Sequence, residues 1–454
     1  MHKPVLMKGA AAAVAMAALS GMSAAQVEAG GPDVIVGDLH QLTRWGEVGG
    51  ITAYSVGTVS CNIGNQNLLW IWNTNQHPVI GQNMYRFKDG RFDQIGMSWL
   101  KHGFTALTEN LCNQCSGMGG SVLGVGCSDP YSASLNGQRV TGGNSGGLGA
   151  RNQVNAYTGA FTWPPQRPPQ TNAIEGRLQV RNTDIDQNAR VGARYFVEGQ
   201  YVTPDDANSG NGENNASYRE VQVTGTTTYN ISFISGRPTR RMRPAIEAWK
   251  ESDPLVTIRY VGVPNEGLFI AGFKVDEIAP GRWRYDYAVQ NLNSHRAASG
   301  LEMPVPACAT TDNIRFSAPF YHSGEPYSND AWLVSEGSGT LAWSSPQTFA
   351  QNPNTNALRW GTMYSFGFES DRPPVSGSVT LRLFRPGAPD SVAFVGLIPR
   401  ALTDLNGDGM SDFFDVDAYV EAFESDSPVA DFNRDGFVDF FDFDAFMTAF
   451  ENGC

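Results

Sequence analysis

The spacing of hydrophobic and polar residues divides the chain into a long body and a short tail. In the body, segments such as ARYFVEGQYVT, YREVQVTG and GRWRYDYAVQNL alternate apolar and polar residues and end in turn residues. This alternation is typical of antiparallel strands that bury one face. For example, Trp283, Tyr285, Tyr287 and Val289 fall on one side of a single predicted strand. We therefore predict a mainly β fold, with sandwich-type packing in the body.

The body also shows two breaks in this pattern. The proline-rich stretch FTWPPQRPPQ, residues 161–170, predicts a linker or an exposed loop. A softer break lies near a predicted helix, Arg243 to Ser252. These breaks predict a Cys-containing β-rich region over 26–165, a second β-rich region over 166–250 and a β-sandwich domain over 251–398.

In the tail, apolar residues recur at spacings of three and four, which predicts two amphipathic helices. The residues are Phe413, Val416, Tyr419, Val420 and Phe423 in the first copy, and Phe440, Phe443, Phe446, Met447 and Phe450 in the second. Each helix follows an acidic phrase, DLNGDGMSDFFD or DFNRDGFVDFFD. No helical pattern precedes the first phrase, so each copy is a loop followed by one helix.

The acidic phrases match the spacing of a twelve-residue calcium loop. Oxygen-bearing side chains stand at positions 1, 3, 5, 9 and 12, with glycine at 6 for a sharp turn and a backbone carbonyl at 7. The predicted ligands are Asp404, Asn406, Asp408, Met410, Asp412 and Asp415, then Asp431, Asn433, Asp435, Phe437, Asp439 and Asp442. The tail therefore predicts two Ca²⁺ sites.

Loop followed by helix, written twice with Asp at position 12, resembles the dockerin family over residues 402–454. The resemblance implies a small α-helical module that folds around calcium and binds a cohesin domain on another protein. The family's recognition positions correspond to Phe413, Phe414, Phe440 and Phe441. Small hydroxyl residues often stand there in dockerins, so another surface protein is also a candidate partner. These phenylalanines could instead form the core between the helices.

Charge is concentrated in the tail. Residues 403–454 contain 14 Asp and Glu residues and one basic residue, Arg434, so they account for the whole formal charge of −13. The rest of the chain is neutral and lacks a basic patch, which argues against a nucleic-acid partner.

The N-terminus predicts export. Residues 1–25 combine a short basic start, an apolar run and small residues before a cleavage position, which predicts a signal peptide. No segment is long and apolar enough to predict a transmembrane helix. We expect a secreted or cell-surface protein whose cysteines can be oxidised.

The six cysteines have two interpretations. Disulfides are favoured in an exported chain, and the candidates are Cys61, Cys112, Cys115, Cys127, Cys308 and Cys454. Alternatively, the first four could form a zinc site together with His77 and His102. Cys454 could bond to Cys308 or link two molecules.

Catalytic signals in the body are weak. His322 and Glu325 lie close in sequence, and a glycine-rich stretch covers 141–149, but neither forms an established catalytic motif. We therefore expect a noncatalytic body with a surface, matrix or glycan-binding role. The alternative is a polysaccharide-degrading enzyme, such as a glycoside hydrolase, or an accessory protein, delivered to a complex by the tail.

Overall fold

The computed structural model describes residues 30–139, 147–167, 171–322, 324–337 and 339–454. The predicted signal peptide and most of the glycine-rich stretch lie outside these ranges. The chain is mainly β, as predicted, with several sheets followed by a helical module.

Within the described residues, the first half of the chain builds one large sheet. Its path is β1–β2–β10–β5–β4–β11–β12–β13, with β6, β8 and β9 attached at its side and a separate β3–β7 pair. The strands are β1 Val34–Val48, β2 Ile51–Asn62, β3 Leu68–Leu69, β4 Val79–Lys88, β5 Arg91–Met97, β6 Leu100–His102, β7 Val122–Leu123, β8 Ser128–Tyr131, β9 Leu148–Gly149, β10 Leu178–Arg181, β11 Arg194–Val202, β12 Ala216–Thr224 and β13 Asn230–Phe233.

In this large sheet, β1 at one edge lies against β12 near the other edge. The sheet is therefore strongly curved. The Ser217 hydroxyl donates to the Val36 carbonyl at 2.7 Å, and the Arg219 guanidinium donates to the Leu39 carbonyl. Tyr54 and Val197 are buried in the core inside the curve. Short helices connect the strands: α1 Ala133–Asn136, α2 Asn182–Ile185, α3 Pro204–Asn208 and the 3₁₀ helix Arg151–Gln153.

The regions predicted as 26–165 and 166–250 share this sheet. The strand β10 follows the proline-rich stretch and inserts between β2 and β5, with Val180 opposite both Thr52 and Gly96. Phe161, inside the proline-rich stretch, is buried in a core cluster. The sequence-based boundary at 165/166 therefore runs through one continuous sheet.

The described part of residues 257–399 forms a sandwich of two five-stranded antiparallel sheets, β14–β15–β16–β21–β18 and β19–β20–β17–β22–β23. The strands are β14 Thr257–Gly262, β15 Leu268–Ala279, β16 Arg282–Asn291, β17 Ala298–Pro304, β18 Thr311–Ser317, β19 Leu333–Gly337, β20 Thr340–Ser344, β21 Thr362–Ser370, β22 Pro374–Leu383 and β23 Ser391–Pro399.

The central strand of the first sheet, β16, is buried on both faces over most of its length. Tyr285, Tyr287 and Val289 of β16 pack into the sandwich core, as the alternation predicts. On the opposite face, Ala288 packs with Tyr85 of the large sheet and Trp249 of helix α4, Glu247–Ser252. The body thus has three layers. The helix predicted from Arg243 is shorter than expected and begins at Glu247.

The C-terminal module contains two helices, α5 Phe413–Glu424 and α6 Phe440–Glu451, joined through the 3₁₀ helix Pro428–Ala430. Tyr419 and Phe446 are fully buried and stack face to face, with ring centroids 4.0 Å apart. The Tyr419 hydroxyl donates to the Ala430 carbonyl at 2.9 Å. These contacts hold the two copies of the repeat together.

Candidate functional site

The two acidic loops lie immediately before α5 and α6. Asp412 and Asp439, at loop position 9, are the N-caps of the two helices, and Asp415 and Asp442, at position 12, stand at the third helical residue. Each pair forms a capping box, in which the side chain of each aspartate accepts a hydrogen bond from the backbone amide of the other. The acidic phrase therefore starts each helix and closes each loop.

The position 12 carboxylates are fully buried and tie the start of each loop to its helix. Asp415 accepts from the Leu405 amide at 2.8 Å and the Asn406 amide at 3.0 Å. Asp442 accepts from the Asn433 amide at 2.9 Å, and these backbone hydrogen bonds lower the pKa of its carboxyl. The Asp442 carboxyl is therefore held in the ionised form that a metal ligand needs.

The position 1 carboxylates differ between the copies. Asp404 is buried and accepts from the Gly407 amide at 2.7 Å and the Gly409 amide at 3.2 Å. Burial raises the pKa of the Asp404 carboxyl. Asp431 accepts from the Gly436 amide at 3.0 Å through one oxygen, while its Oδ1 is buried without a hydrogen-bond partner. That oxygen is a polar atom for which a cation would be a suitable partner.

Positions 3 and 5 turn the loops. Asn406 and Asn433 accept from the amides of Asp408 and Asp435, each at 2.8 Å. Those two aspartates in turn accept from the amides of Met410 and Phe437, at 2.9 and 3.0 Å. In each of these four side chains a single oxygen takes the backbone N–H. For Asp408 this leaves the second carboxylate oxygen for a ligand, whereas Oδ2 of Asp435 accepts from the Asn433 side-chain amide at 3.2 Å.

Glycine at position 6 is required by the backbone. Gly409 and Gly436 have φ of 89° and 93°, a region that residues with a side chain rarely adopt. The serine at position 8, Ser411, forms a hydrogen bond with Thr403 at 2.5 Å. This contact gives the polar side chain at position 8 a hydrogen-bond partner.

The donors of both loops fit calcium in kind. They are carboxylate and amide oxygens with no thiol or imidazole among them, and hard oxygen donors are what Ca²⁺ takes. Across the described ranges, no group of three or more His, Cys, Asp or Glu side chains is gathered closely enough to hold a metal ion. The loop carboxylates are turned toward backbone amides, and their ligand role stays a prediction.

The four phenylalanines at the predicted recognition positions lie on the surface. Phe413, Phe414, Phe440 and Phe441 are 69–73% exposed, and the module core is built by Tyr419 and Phe446 instead. Of the two interpretations of these phenylalanines, the structure disfavours the core. Their role in binding a partner stays a prediction.

Four of the six cysteines form disulfides, Cys61–Cys112 and Cys115–Cys127. The prediction of disulfides is confirmed for these four, and the zinc alternative is excluded for them because their sulfurs are bonded to each other. Cys308 and Cys454 are free thiols.

The histidines of the zinc alternative pair with each other. His77 Nε2 lies 2.9 Å from His102 Nδ1, and both rings pack against Phe161 and Trp163. Burial lowers the pKa of His77 to about 4 and that of His102 well below its usual value. Both rings are therefore neutral parts of the core.

His322 and Glu325 do not form an acid–base pair. His322 is buried with Nε2 3.0 Å from the Arg177 carbonyl, whereas Glu325 accepts from the Arg151 amide at 2.7 Å. Glu325 lines a cavity of about 20 Å³ between the large sheet and the sandwich, beside Arg359. That volume holds about one water molecule.

Sequence reasoning missed a buried polar cluster that also lies between the large sheet and the sandwich. Glu198 is fully buried and accepts from Asn83 at 2.9 Å, Tyr85 at 2.8 Å and Gln290 at 3.0 Å, as well as from the Ala245 amide. These partners are distant in sequence, so no local motif marks the site. Glu198 joins the large sheet, the segment before α4 and the sandwich.

Comparisons with known proteins give little guidance. No family model matches the chain, and no curated protein matches it. Among solved structures, the serine-rich repeat protein Srr2 from Streptococcus agalactiae is 10% identical, with a TM-score of 0.20 over 84% of this chain and 95% of that one. The N-terminal domain of the Streptococcus gordonii adhesin Sgo0707 is 7% identical, with a TM-score of 0.18 over 82% and 96%. Similarities this low carry no argument about function.

Proposed function

We propose that residues 402–454 are a calcium-dependent docking module of the dockerin type and that the β-rich body is a noncatalytic passenger. The observation that carries this proposal is the repeat itself. Two loops with the same oxygen donors each end in an exposed phenylalanine pair at the same positions. Core formation does not require these four side chains, so a partner is the simplest reason for keeping them at the surface.

In this proposal, the residues that hold calcium are those at positions 1, 3, 5, 7, 9 and 12 of each loop. A bound calcium ion supplies two positive charges to each acidic loop and relieves the repulsion among its carboxylates. Asp412 and Asp439 belong to the loops and also cap the helices, so a loop that calcium orders would also order the first turn of α5 or α6. The phenylalanine pairs start those helices and would be fixed with them.

The partner that fits this surface has an apolar pocket for the phenylalanines and basic residues around it. Aspartates flank both pairs in the sequence, and opposite charge on the partner would speed the encounter. A cohesin-like domain or another surface protein meets this description. The body could also contact polysaccharide.

Export to the cell exterior is part of the same proposal. Two disulfides in the body are expected of a protein that folds in an oxidising compartment. Calcium at millimolar concentration outside the cell would also keep the loops loaded. In the part of the chain that the structure describes, no helix has the length and apolar composition needed to cross a membrane.

The test uses the intact chain as immobilised bait for extracellular proteins of the same cell, with calcium and with a chelator. A partner that is then purified should bind in calcium and be released by chelation. The variants Phe414→Ser and Phe441→Ser should lose at least tenfold in affinity, whereas Asp417→Asn and Asp444→Asn, exposed on the helices, should not. Binding that ignores both calcium and the phenylalanines would contradict the proposal. Sugar release from a glycan panel would make the body an enzyme.

A further inference from the structure

The two remaining cysteines lie together although they are 146 residues apart. Cys308 sits in the connection between β17 and β18, and Cys454 is the last residue printed in the sequence. The Cys308 thiol is 3.7 Å from the Cys454 carbonyl oxygen, and both residues are half-buried. Burial and the adjacent Cys308 thiol raise the pKa of Cys454 to about 11. The two thiols are therefore direct neighbours.

Backbone hydrogen bonds hold both cysteines in place. The Ala307 amide donates to the Gly453 carbonyl at 3.2 Å, which joins the sandwich to the end of the module. The amides of Leu402 and Thr403 donate to the Cys454 carbonyl, and the Cys454 amide donates to the Ala449 carbonyl at 2.8 Å. On the other side, the Arg372 guanidinium donates to the Cys308 carbonyl at 3.0 Å. The contact between Cys308 and Cys454 therefore lies in an ordered junction between the sandwich and the end of the module.

We propose that Cys308 and Cys454 form a third disulfide that ties the end of the C-terminal module to the sandwich. This bond is a covalent modification beyond the calcium and docking roles. The other four cysteines of the chain are already bonded in pairs, so the same oxidising conditions would act on this pair.

The bond forms by thiol–disulfide exchange with an external disulfide, either a protein oxidant or a small disulfide molecule. One thiolate attacks the external disulfide and forms a mixed disulfide, and the second thiolate then displaces the external thiol. The Sγ–Sγ bond is made, the external S–S bond is broken, and two protons and two electrons end on the external dithiol.

The disulfide would prevent the module from separating from the body. It closes a loop that contains β18 to β23 and the whole acidic repeat, so the connection between β17 and β18 and the end of α6 are held at one point. A cross-link over so long a loop mainly restricts the unfolded chain. It would also keep the phenylalanine pairs at a constant position relative to the sandwich.

The test is thiol counting and peptide mapping of the intact chain, purified from an oxidising compartment without reductant and alkylated after unfolding. The expected result is no alkylated cysteine and a linked peptide pair containing Cys308 and Cys454. Cys308→Ser and Cys454→Ser should each expose one thiol per chain, and the double variant none. Near-ultraviolet circular dichroism of the double variant checks that the body still folds.

Two free thiols per chain at these positions would overturn the proposal. It would be overturned equally by Cys454 bonded to a second chain, seen as a reducible dimer, or by Cys454 carrying any other adduct. None of these readouts depends on calcium, so failure here would leave the docking proposal standing.

Discussion

The body packs its strands in three layers and buries many large side chains between them. The C-terminal module fully buries only Tyr419 and Phe446 among its large side chains. The body also has two disulfides, Cys61–Cys112 and Cys115–Cys127. A unit of about fifty residues with so small a core generally needs a metal or a cross-link to stay folded. The capping boxes formed by the acidic loops stabilise the starts of both helices, and calcium binding by the same loops is the predicted further source of stability.

The carboxyl groups of the two regions also differ. In the body, burial raises the pKa of Asp129 and Asp206 to about 7. In the module, backbone amides lower the pKa of Asp442, although burial raises the pKa of Asp404. The body therefore buries acids that favour their neutral form, while the module holds the ionised form of a predicted ligand.

Chelation of calcium is expected to have the largest effect and to act on the module alone. Saturation at about a thousand times the Kd stabilises a folded site by about 4 kcal/mol, so its removal should unfold α5 and α6. Calorimetry of the intact chain with calcium and with chelator should show one transition that moves and one that does not. If chelation left both transitions unchanged, the module would depend on calcium no more than the body does.

Matched core truncations should affect the two regions separately. Phe366 packs in the sandwich core and Phe446 in the module core, both buried. Replacement of either by Ala should cost about 3–5 kcal/mol, because each leaves a cavity. Phe366→Ala should lower only the body transition, and Phe446→Ala only the module transition. A shift of both transitions in either variant would mean that the regions unfold together.

The body should become less stable as pH rises toward neutrality. Since burial raises the pKa of Asp129 to about 7, the folded chain keeps a proton there that the unfolded chain loses near pH 4. This contribution is complete below pH 4 and is lost between about pH 4 and 7, by at most about 4 kcal/mol. Asp129→Asn should reduce the difference in urea unfolding of the body between pH 5 and pH 8. An unaltered difference would show that Asp129 does not cause it.

Removal of an exposed phenylalanine should have the smallest effect on stability. Phe441 is 73% exposed, so Phe441→Ser should change the free energy of unfolding of the calcium-loaded module by no more than about 0.5 kcal/mol. Chemical denaturation of the intact chain measures this value. A loss above 2 kcal/mol would place Phe441 in the module's packing and weaken its assignment to a docking surface.

Local patterns predicted local structure well. The spacing of Phe413 to Phe423 predicted α5, and the alternation from Trp283 to Val289 predicted β16. The pairing of β10 with β2 and β5 could not be read from the sequence, because the partners of a strand are set by distant segments. The same limit applies to the second buried face of β16.

The candidate site was predictable where its chemistry is periodic. The loop ligands and the phenylalanine pairs follow from a repeated phrase, but the exposure of those pairs depends on Tyr419 and Phe446 filling the core. From the sequence alone, a bond between Cys308 and Cys454 is one option among several. The folded chain shows that the two residues are adjacent.

Calcium titration of the intact chain by calorimetry, with bound ions counted by native mass spectrometry, tests whether the repeated loops bind calcium. We predict two ions for the natural chain and for Asp417→Asn and Asp444→Asn. We predict one ion for Asp404→Asn or Asp431→Asn and none for the double variant. No bound calcium in the natural chain, or two ions retained by the double variant, would contradict the account.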